Sequence, residues 1–442
     1  MKPIYRYQLL ICFILSLSLI ISGCAKPQSE FPKTPLENKK TELNVWIFFD
    51  HNTPGTHYND LWKKLGQELG YTVNVKTFAS EELKYKLRIG LACDELPDIF
   101  AVWGGTFPDF LINADTCLPI QDYIKNSGLN YKDSYLYPYA DGNNYIIPCL
   151  VEAYAVTYYN KSLMKKIGVE PPKTWNDLLN IVHAVNDYNQ KHQTNYSVIE
   201  LGDKDNWLGE LLYDMIVNRI DPYALDKLRT GKIDFDDKIF LDAAYKVVEL
   251  VDAGAFPKDY LQTGEVESIQ NFIQNKSLLL PHQSTIVFHL MENMGNDAIG
   301  LIQWPNSGSN PNSDYGKYLI DINHTLKPGL AINQKTAYKD EAAKICLKFS
   351  EEVNKINVTK YGYLNLTEDA ALTPPNDLPL PVKEFTTMVA EAKYYTSFWY
   401  SILPQNEADE WRSLTKKLFA KAITPEEFIK AGAKHLAYLP KK

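Results

Sequence analysis

The chain has 442 residues, of which 23% are charged and 45% hydrophobic, and its formal net charge at pH 7 is -8. These proportions are those of folded globular proteins and exclude a disordered or fibrous chain. The length suits two or three globular units, and the negative balance argues against non-specific nucleic-acid binding, which needs a basic surface to displace counterions from phosphate.

The amino-terminal segment has the pattern of an export signal. Two basic residues precede an apolar run, Leu9–Ile21, whose 13 residues are too few to cross a bilayer as a helix of about 20 residues. A basic start and a short apolar run are typical of a signal peptide. The run ends in Ile21-Ser22-Gly23-Cys24, which resembles the bacterial lipobox, where cleavage precedes a lipidated cysteine. We therefore expect a signal peptide at 1–23 and a cell-membrane lipoprotein, with palmitate carried at Cys24, that faces outside the cytoplasm.

Strand and helix patterns alternate after a segment at 24–40, which is rich in proline, lysine, glutamate, serine and threonine and is expected to be a flexible, lipid-anchored linker. Runs of β-branched and aromatic residues predict strands, and leucines at helical spacing predict helices between them. In chain order the predicted elements are the strand Leu43–Phe49, the helix Tyr58–Leu69, the strand Tyr71–Val75, the helix Glu81–Leu91 and the strand Asp98–Trp103. This order predicts a parallel sheet covered by helices, with a ligand-binding edge at the carboxyl ends of its strands.

Helical spacing dominates the rest of the chain. Thr, Asp, Gly and Pro begin or end the patterns, as they do at the boundaries of helices. The predicted helices include Thr174–Asn186, Phe240–Ala253, Lys339–Asn354 and Ser397–Phe419.

The four cysteines that lie beyond Cys24 do not form a compact metal motif. Cys93, Cys117, Cys149 and Cys346 are widely separated and include no CxxC pair, so neither a zinc site nor a dense disulfide scaffold is indicated. An exported protein can still form a disulfide. The sequence leaves that pairing open, and it predicts no metal site and no cofactor.

Three motifs carry a resemblance to a known family. They are Asp141–Pro148, Tyr158–Lys161 and Gly168–Trp175, and in this order they resemble the "dGk.YgiP … YYNK … lG.epPkTw" signature of the extracellular solute-binding proteins of ABC importers. The similarity is to the sugar-binding group that includes the maltodextrin-binding proteins. It extends over nearly the whole mature chain, with supporting matches at Leu96–Ile99, Phe272–Lys276 and Leu330–Asn333.

The resemblance implies an α/β fold of the two-lobe, type II periplasmic-binding-protein class, in which each lobe is a sheet with flanking helices. Lobe I is expected at 41–150 and 285–335, and lobe II at 151–284 and 336–442. A ligand held in the cleft between the lobes would favour closure by hinge motion, and closure would report occupancy to the membrane permease. The expected protein is therefore a monomeric receptor that captures an oligosaccharide, not an enzyme.

Two candidate ligand-binding residues come from the resemblance. Sugars present hydroxyl edges and weakly apolar ring faces, so their sites combine flat aromatic rings with carboxylate and amide groups. Ser397-Phe398-Trp399-Tyr400 resembles the "saFWya" stretch of maltodextrin-binding proteins, which implies that Trp399 stacks on a sugar ring; the alternative is packing of the final helix. Glu152 resembles an acceptor for sugar hydroxyls, and its alternative is a salt bridge at the hinge.

Further candidates come from positions at the ends of predicted elements. Trp103 ends the third strand beside two glycines, on the expected ligand edge. Trp207 follows a polar stretch and suits a second stacking platform, while Asp50 and His51 follow the first strand and could hydrogen-bond to hydroxyls. For the two tryptophans the alternative is ordinary core packing.

The stretch Pro281–Thr285 departs from the family pattern, because a Gly and a Trp that are frequent there are missing. Gln283 and Ser284 are the side chains of this loop that could contact a ligand instead. The loss of an aromatic residue puts a maltodextrin ligand in doubt but leaves the transport role untouched.

Other functions are weighed against sugar capture. A secreted carbohydrate-active enzyme would need two carboxylates paired at one bond, and pairing in space is invisible in a sequence. A receptor for a peptide, an amino acid or a metal is the other alternative. It is disfavoured by the scarcity of arginine and by the absence of clustered histidines.

Overall fold

The computed structural model describes residues 41–48, 58–149, 153–309, 315–322, 328–369 and 371–441, and every structural statement below concerns these ranges. Several predicted features lie outside the described residues: the signal peptide, Cys24, the linker at 24–40, Asp50, His51 and Glu152.

Strands and helices are numbered here in chain order. The strands are β1 (Glu42–Ile47), β2 (Thr72–Thr77), β3 (Ile99–Val102), β4 (Ile147–Pro148), β5 (Ala155–Asn160), β6 (Ser197–Ile199), β7 (Ser277–Gln283), β8 (Ile299–Ile302), β9 (Tyr318–Asp321), β10 (Gly329–Ile332) and β11 (Tyr394–Ser397). The helices are α1 (Tyr58–Leu69), α2 (Ser80–Cys93), α3 (Asp109–Ile112), α4 (Gln121–Ser127), α5 (Lys161–Ile167), α6 (Trp175–His192), α7 (Trp207–Ile220), α8 (Ala224–Arg229), α9 (Lys238–Asp252), α10 (Glu265–Ile273), α11 (Val287–Met294), α12 (Lys339–Tyr361), α13 (Leu380–Ala390), α14 (Gln405–Phe419) and α15 (Pro425–Leu436).

The first sheet has the strand order β2-β1-β3-β10-β4. Strand β1 pairs in parallel with β2 and β3, as the alternating strand and helix pattern predicts. Strand β10 comes from a distant part of the chain and pairs antiparallel with β3 and β4. The sheet is therefore mixed, because an antiparallel strand lies beside the three parallel ones.

Helix α1 packs on this sheet through the face that its leucine spacing predicts. Leu61 and Leu65 are buried with Trp62, and Leu69 is partly buried. The Trp62 ring stacks on Phe349 of α12, with the ring centroids 4.2 Å apart. Helix α12 therefore lies against the same layer as α1.

The second sheet has the order β6-β7-β5-β8. Strand β5 pairs antiparallel with β7 and β8, and β6 pairs in parallel with β7. Gly300 of β8 is needed here, because a Cβ at this position would lie 2.3 Å from Cζ of Tyr159. The Tyr159 ring thus lies directly over the backbone of its neighbouring strand.

A third, two-stranded sheet of β9 and β11 lies next to the segments that lead from one large sheet to the other. Tyr154 forms a β-bridge with Asp321, and the Ile322 amide donates to the Ala153 carbonyl over 2.7 Å. The chain segments before β5 and after β9 are therefore paired with each other.

Two segments pair or pack with elements that the sequence assigns to the other expected lobe, and the lobe boundaries themselves stay a prediction. Ile299–Ile302, expected in lobe I, pairs with β5 of the second sheet. Lys339–Tyr361, expected in lobe II, packs on α1, α4 and β10 beside the first sheet. The pairing of Ile299–Ile302 with β5 leaves no local pattern in the sequence, because the two strands are more than a hundred residues apart. No helix among the described residues has the length and apolar character needed to cross a membrane.

A buried carboxyl group beside the second sheet makes the stability dependent on pH. Glu200 is 1% exposed, and its Oε1 accepts a hydrogen bond from Asn271 Nδ2 over 3.1 Å. Burial raises the pKa of Glu200 to about 7. A raised carboxyl pKa means that the folded chain binds the proton more tightly than the unfolded chain, so stability is lost as the pH rises from about 4.5 to about 7.

We expect Glu200→Gln to lose up to about 3 kcal/mol less free energy of unfolding than wild type as the pH rises, because the amide cannot ionise. The measurement is the free energy of unfolding in urea at pH 5 and pH 7.5. The control is Glu292→Gln, which changes an exposed carboxyl. An equal fall in stability with pH in wild type and Glu200→Gln would contradict the prediction.

Candidate functional site

Helix α7 is buried along almost its whole length, and yet one face of it is polar. Trp207, Glu210, Asp214 and Asn218 are spaced three or four residues apart, so they share one face of the helix. Their exposed fractions are 9%, 0%, 1% and 6%. A buried helix with a polar face requires partners for that face, because unpaired polar groups in the interior are costly.

The chain pairs this face only in part. Asp214 Oδ2 accepts a hydrogen bond from the Trp399 amide over 3.3 Å. Asp214 Oδ1, Glu210 Oε1 and Asn218 Nδ2 are buried without a partner in the described structure. Each such atom costs about 1–3 kcal/mol, so this face is the part of the helix whose hydrogen-bonding capacity the described structure leaves unused.

The amino-terminal end of α7 is held by the preceding polar stretch. Asp203 Oδ1 accepts a hydrogen bond from the Gly209 amide over 2.8 Å. A Cβ at Gly209 would lie 2.6 Å from Asp203 Oδ2, so only glycine allows this close approach. The contact fixes where the polar face of α7 begins.

The guanidinium of Arg412 connects α7 to α14 and α2. Its Nε donates to Glu210 Oε2 over 2.9 Å, and its Nη1 donates to Glu81 Oε1 over 3.3 Å. Glu81 also accepts from Lys84 Nζ over 2.8 Å. The guanidinium carbon lies 3.3 Å from the centroid of the Tyr400 ring. Two cations and two carboxylates are thus gathered between helices that flank different sheets.

The surroundings shift the pKa values of these carboxyl groups in opposite directions. Burial would raise the pKa of Glu81, but Lys84 and Arg412 bring it below its usual value. Burial raises the pKa of Glu210 to about 7 against the lowering effect of Arg412. For Asp214, burial and then the neighbouring Glu210 carboxyl raise the pKa well above its usual value. The interior therefore favours charge on Glu81 and a proton on Asp214.

The structure brings two predicted tryptophans to this ionic cluster. Trp103 is 8% exposed, and its ring stacks on Phe48 with the centroids 4.1 Å apart. Lys84 Nζ lies 5.0 Å from the Trp103 centroid and 3.1 Å from the Tyr400 hydroxyl. Since Tyr400 follows Trp399 in the chain, this contact brings Trp103 close to the turn that contains Trp399.

Trp399 is only 2% exposed, and part of its ring surface packs against protein. Its ring is stacked with Trp411, with a centroid distance of 5.6 Å and an interplanar angle of 16°. Phe235, Phe240 and Tyr213 contact it edge-on. Stacking of Trp399 on a sugar stays a prediction, and the aromatic packing shows that the ring position is fixed by the interior.

The remaining predicted residues lie beside the start of α7. The Trp207 ring is perpendicular to that of His282, with centroids 5.3 Å apart, which brings Trp207 close to the loop that contains Gln283 and Ser284. Gln283 is half-buried. Ser284 is fully buried and its Oγ accepts a hydrogen bond from the Tyr154 amide over 3.1 Å. Ser284 therefore braces the segment before β5, and its role as a ligand contact stays a prediction.

Glu210, Asp214, Asn218 and Arg412 are absent from the candidates that the sequence suggests. The usable pattern is a run of polar residues at helical spacing inside the otherwise apolar stretch Trp207–Ile220. This pattern does not reveal that the polar face is buried, because polar residues at that spacing ordinarily mark a solvated face.

Metal ligands and disulfides do not contribute to this arrangement. Among the described residues no group of three or more His, Cys, Asp or Glu side chains could hold a metal ion. The cysteines in the described ranges, Cys93, Cys117, Cys149 and Cys346, are free thiols, and Cys93 alone of these four is exposed.

Residues 60–380 match the family model of the bacterial extracellular solute-binding proteins. The chain belongs to this family. An uncharacterized ABC transporter extracellular-binding protein from Pyrococcus horikoshii is 24% identical over 55% of this chain and 57% of its own length. An arabinooligosaccharide-binding protein from Bacillus subtilis is 28% identical over 38% of this chain and 39% of its own length. The matched part of the chain thus spans 57% of the length of the first relative and 39% of the second.

Solved structures extend the similarity over the whole fold. One, from work on xylan utilization by the thermophilic bacterium Caldanaerobius polysaccharolyticus, is 24% identical with a TM-score of 0.75, covering 89% of this chain and 99% of its own. A chitin oligosaccharide binding protein is 20% identical with a TM-score of 0.74, covering 91% of this chain and 100% of its own. These similarities show that this family member has the type II solute-binding fold.

Two ion pairs, each with one arginine, connect α2 and α14: Arg412 with Glu81, and Arg88 with Asp409. They allow a matched comparison of a buried and an exposed ion pair. We expect Arg412→Met to lower the free energy of unfolding by on the order of 3 kcal/mol, because Glu210 would stay buried without its partner. Arg88→Met removes the pair with Asp409, whose side chains are 38% and 49% exposed, and should cost less than about 1 kcal/mol. Urea unfolding of both variants measures the difference, and equal losses would refute the importance of burial.

Proposed function

We propose that this chain is the substrate-binding lipoprotein of an ABC importer and that it captures an oligosaccharide. The observation that carries the proposal is the polar face of α7, which begins at Trp207, binds the Trp399 amide through Asp214 and presents unpaired hydrogen-bonding atoms. Sugar hydroxyls both donate and accept hydrogen bonds, and sugar rings pack on aromatic side chains. The carbohydrate names of the Bacillus subtilis relative and of the chitin oligosaccharide binding protein favour the same ligand class.

Lobe closure is the proposed mechanism of capture. Strand pairing favours a lobe I that contains β1 to β4, β10 and α12, and a lobe II that contains β5 to β8 and α13 to α15. The ion pairs of α2 with α14 would then form across the cleft. A ligand that contacts α7 and Trp103 together would favour the closed state through contacts that the open state lacks. Capture and release of this kind need no covalent step, so the proposed protein is a receptor, not an enzyme.

The test of this proposal is a titration of residues 25–442 with arabino-, xylo-, chito- and malto-oligosaccharides, followed by intrinsic tryptophan fluorescence. We expect a saturable change at micromolar sugar, which corresponds to roughly 8 kcal/mol of binding. Trp399→Ala should weaken binding at least about tenfold. Because this ring is buried, Trp399→Phe serves as the variant that keeps the core filled.

Trp62→Phe is the matched control, since Trp62 is a fully buried tryptophan that packs on α12. If no sugar changes the fluorescence while an amino acid, a peptide or a metal ion does, the ligand class is wrong and only a receptor for another solute remains. If chromatography of the mixture shows cleaved sugar, the protein is an enzyme instead.

The proposed anchor gives a separate prediction. In the exported full chain, Cys24→Ala should move the protein from the detergent phase to the aqueous phase of a phase-partition assay, because two or more acyl chains are needed for stable membrane attachment. Cys93→Ala is the control, since Cys93 is an exposed thiol within the folded part. Two results together would exclude the lipid anchor: the Cys24→Ala variant stays in the detergent phase, and the amino-terminal peptide of wild type carries no modification.

A further inference from the structure

We infer that Asp214 and Asn218 form a subsite that selects one sugar unit with two adjacent free hydroxyl groups. The inference rests on the proposed function and specifies which part of the ligand is recognised. It concerns two side chains that each have one polar atom without a partner in the described part of the chain.

The two side chains are placed side by side by the helix. Asp214 and Asn218 are four residues apart on α7, a spacing that puts their Cβ atoms about 5–6 Å from each other. Both residues are more than nine-tenths buried. Asp214 Oδ1 and Asn218 Nδ2 have no partner in the described structure. The carboxyl group of Asp214 and the amide donor of Asn218 therefore lie on neighbouring turns of the same buried helix face.

Trp399 fixes the direction of the Asp214 carboxyl group. Its amide donates to Asp214 Oδ2, so Oδ2 is occupied and Oδ1 is the oxygen that stays available. The same residue is the aromatic side chain that the sequence predicts to stack on a sugar ring. A ring that packs near Trp399 would bring its hydroxyl edge to Asp214 Oδ1.

Glu210, on the same face, has a different role. The protein pairs its Oε2 with Arg412 Nε over 2.9 Å, and Arg412 in turn reaches Glu81 on α2. The Glu210 carboxyl group thus belongs to the contact between helices. Asp214 forms no ion pair among the described residues, and Asn218 is a neutral amide whose Nδ2 has no partner there.

The chemistry of the pair matches two neighbouring hydroxyl groups. Asn218 Nδ2 donates, and so it needs an acceptor such as a hydroxyl oxygen. When it is ionised, Asp214 Oδ1 accepts a hydrogen bond from a hydroxyl group, and when it is protonated it can donate one to a hydroxyl oxygen. A hydroxyl group serves in either case because it is both donor and acceptor. Adjacent ring hydroxyls lie within hydrogen-bonding distance of each other, which suits two side chains on successive turns.

Selectivity follows from the cost of leaving buried polar groups unpaired. A site built to hydrogen-bond a hydroxyl rejects an analogue that lacks it more strongly than an apolar pocket rejects an extra methylene. A ligand unit that is deoxygenated or O-methylated at either position would leave Asp214 or Asn218 unpaired, or would clash with it. We therefore expect such analogues to bind at least about tenfold more weakly than the parent sugar.

The experiment uses calorimetric titration of residues 25–442 with the tightest-binding oligosaccharide of the panel and with its monodeoxy and mono-O-methyl derivatives. Two adjacent ring positions should be sensitive to modification. Wild type should bind each derivative that is modified at either of these positions at least about tenfold more weakly than the parent sugar. Asp214→Leu and Asn218→Leu should each weaken binding of the parent sugar by a similar factor. Each variant should also bind the parent sugar and one of its deoxy derivatives with equal affinity, because the side chain that distinguishes the two sugars has been replaced.

Thermal unfolding without ligand separates a binding role from a structural one. Asp214→Leu removes an unpaired carboxyl oxygen and also the acceptor of the Trp399 amide, two opposing effects on stability, so its melting temperature should stay close to that of wild type while its affinity falls. The matched control is Asn186→Leu, whose amide donates to the Ala253 carbonyl at a site away from α7, and which should leave affinity and selectivity unchanged.

The outcomes distinguish this inference from the proposed function. If wild type binds a sugar of the panel but both α7 variants keep its affinity and its discrimination against deoxy derivatives, the subsite is refuted and the sugar receptor stands. If affinity falls only in step with a lower melting temperature, the two residues are structural and the subsite is again refuted. If wild type binds no sugar of the panel, the proposed function fails, and the subsite fails with it.

Discussion

The guanidinium of Arg412 is buried between carboxylates of two different helices, and the arrangement of the site depends on that contact. Glu210 belongs to α7, and Glu81 belongs to α2, which covers the first sheet. An arginine suits this position because its planar fork can donate to two carboxylates at once while its face lies on the Tyr400 ring. A lysine could offer only a point charge. The positions of α7, of Trp103 and of Trp399 relative to one another all follow from the helices that this side chain connects.

Around this contact the chain keeps polar groups in its interior at a cost in stability. Buried Asp214 and Asn218 contribute unpaired atoms that an apolar helix face would avoid, and natural sites commonly trade stability for function in this way. The aromatic packing around Trp399 offsets part of the cost, because Trp411, Phe235 and Phe240 hold the adjacent backbone rigid. A rigid backbone keeps the Trp399 amide aligned with Asp214. For the proposed ligand, atoms that are already held in place would reduce the entropy cost of binding.

Much of the fold follows from local pattern. The alternation of strands and helices from Leu43 to Trp103 predicts the parallel pairing of β1 with β2 and β3, and the leucine spacing of α1 predicts its buried face. The motif order identifies the family, which the match over residues 60–380 bears out. The assignment of β8 and of α12 to a lobe stays a prediction, because their partners are set by long-range packing, which leaves no trace in neighbouring residues.

By itself the sequence determined the class of the protein, the order of its elements and the aromatic residues worth testing, because periodicity and motif order are properties of adjacent residues. It did not determine which polar residues are buried. Glu210 and Asp214 have the spacing of an ordinary solvated helix face, and only the packing of α14 and of the turn at Trp399 over α7 removes them from water. The tertiary structure decided their pKa values and their missing partners, since both depend on desolvation by residues about two hundred positions away in the chain.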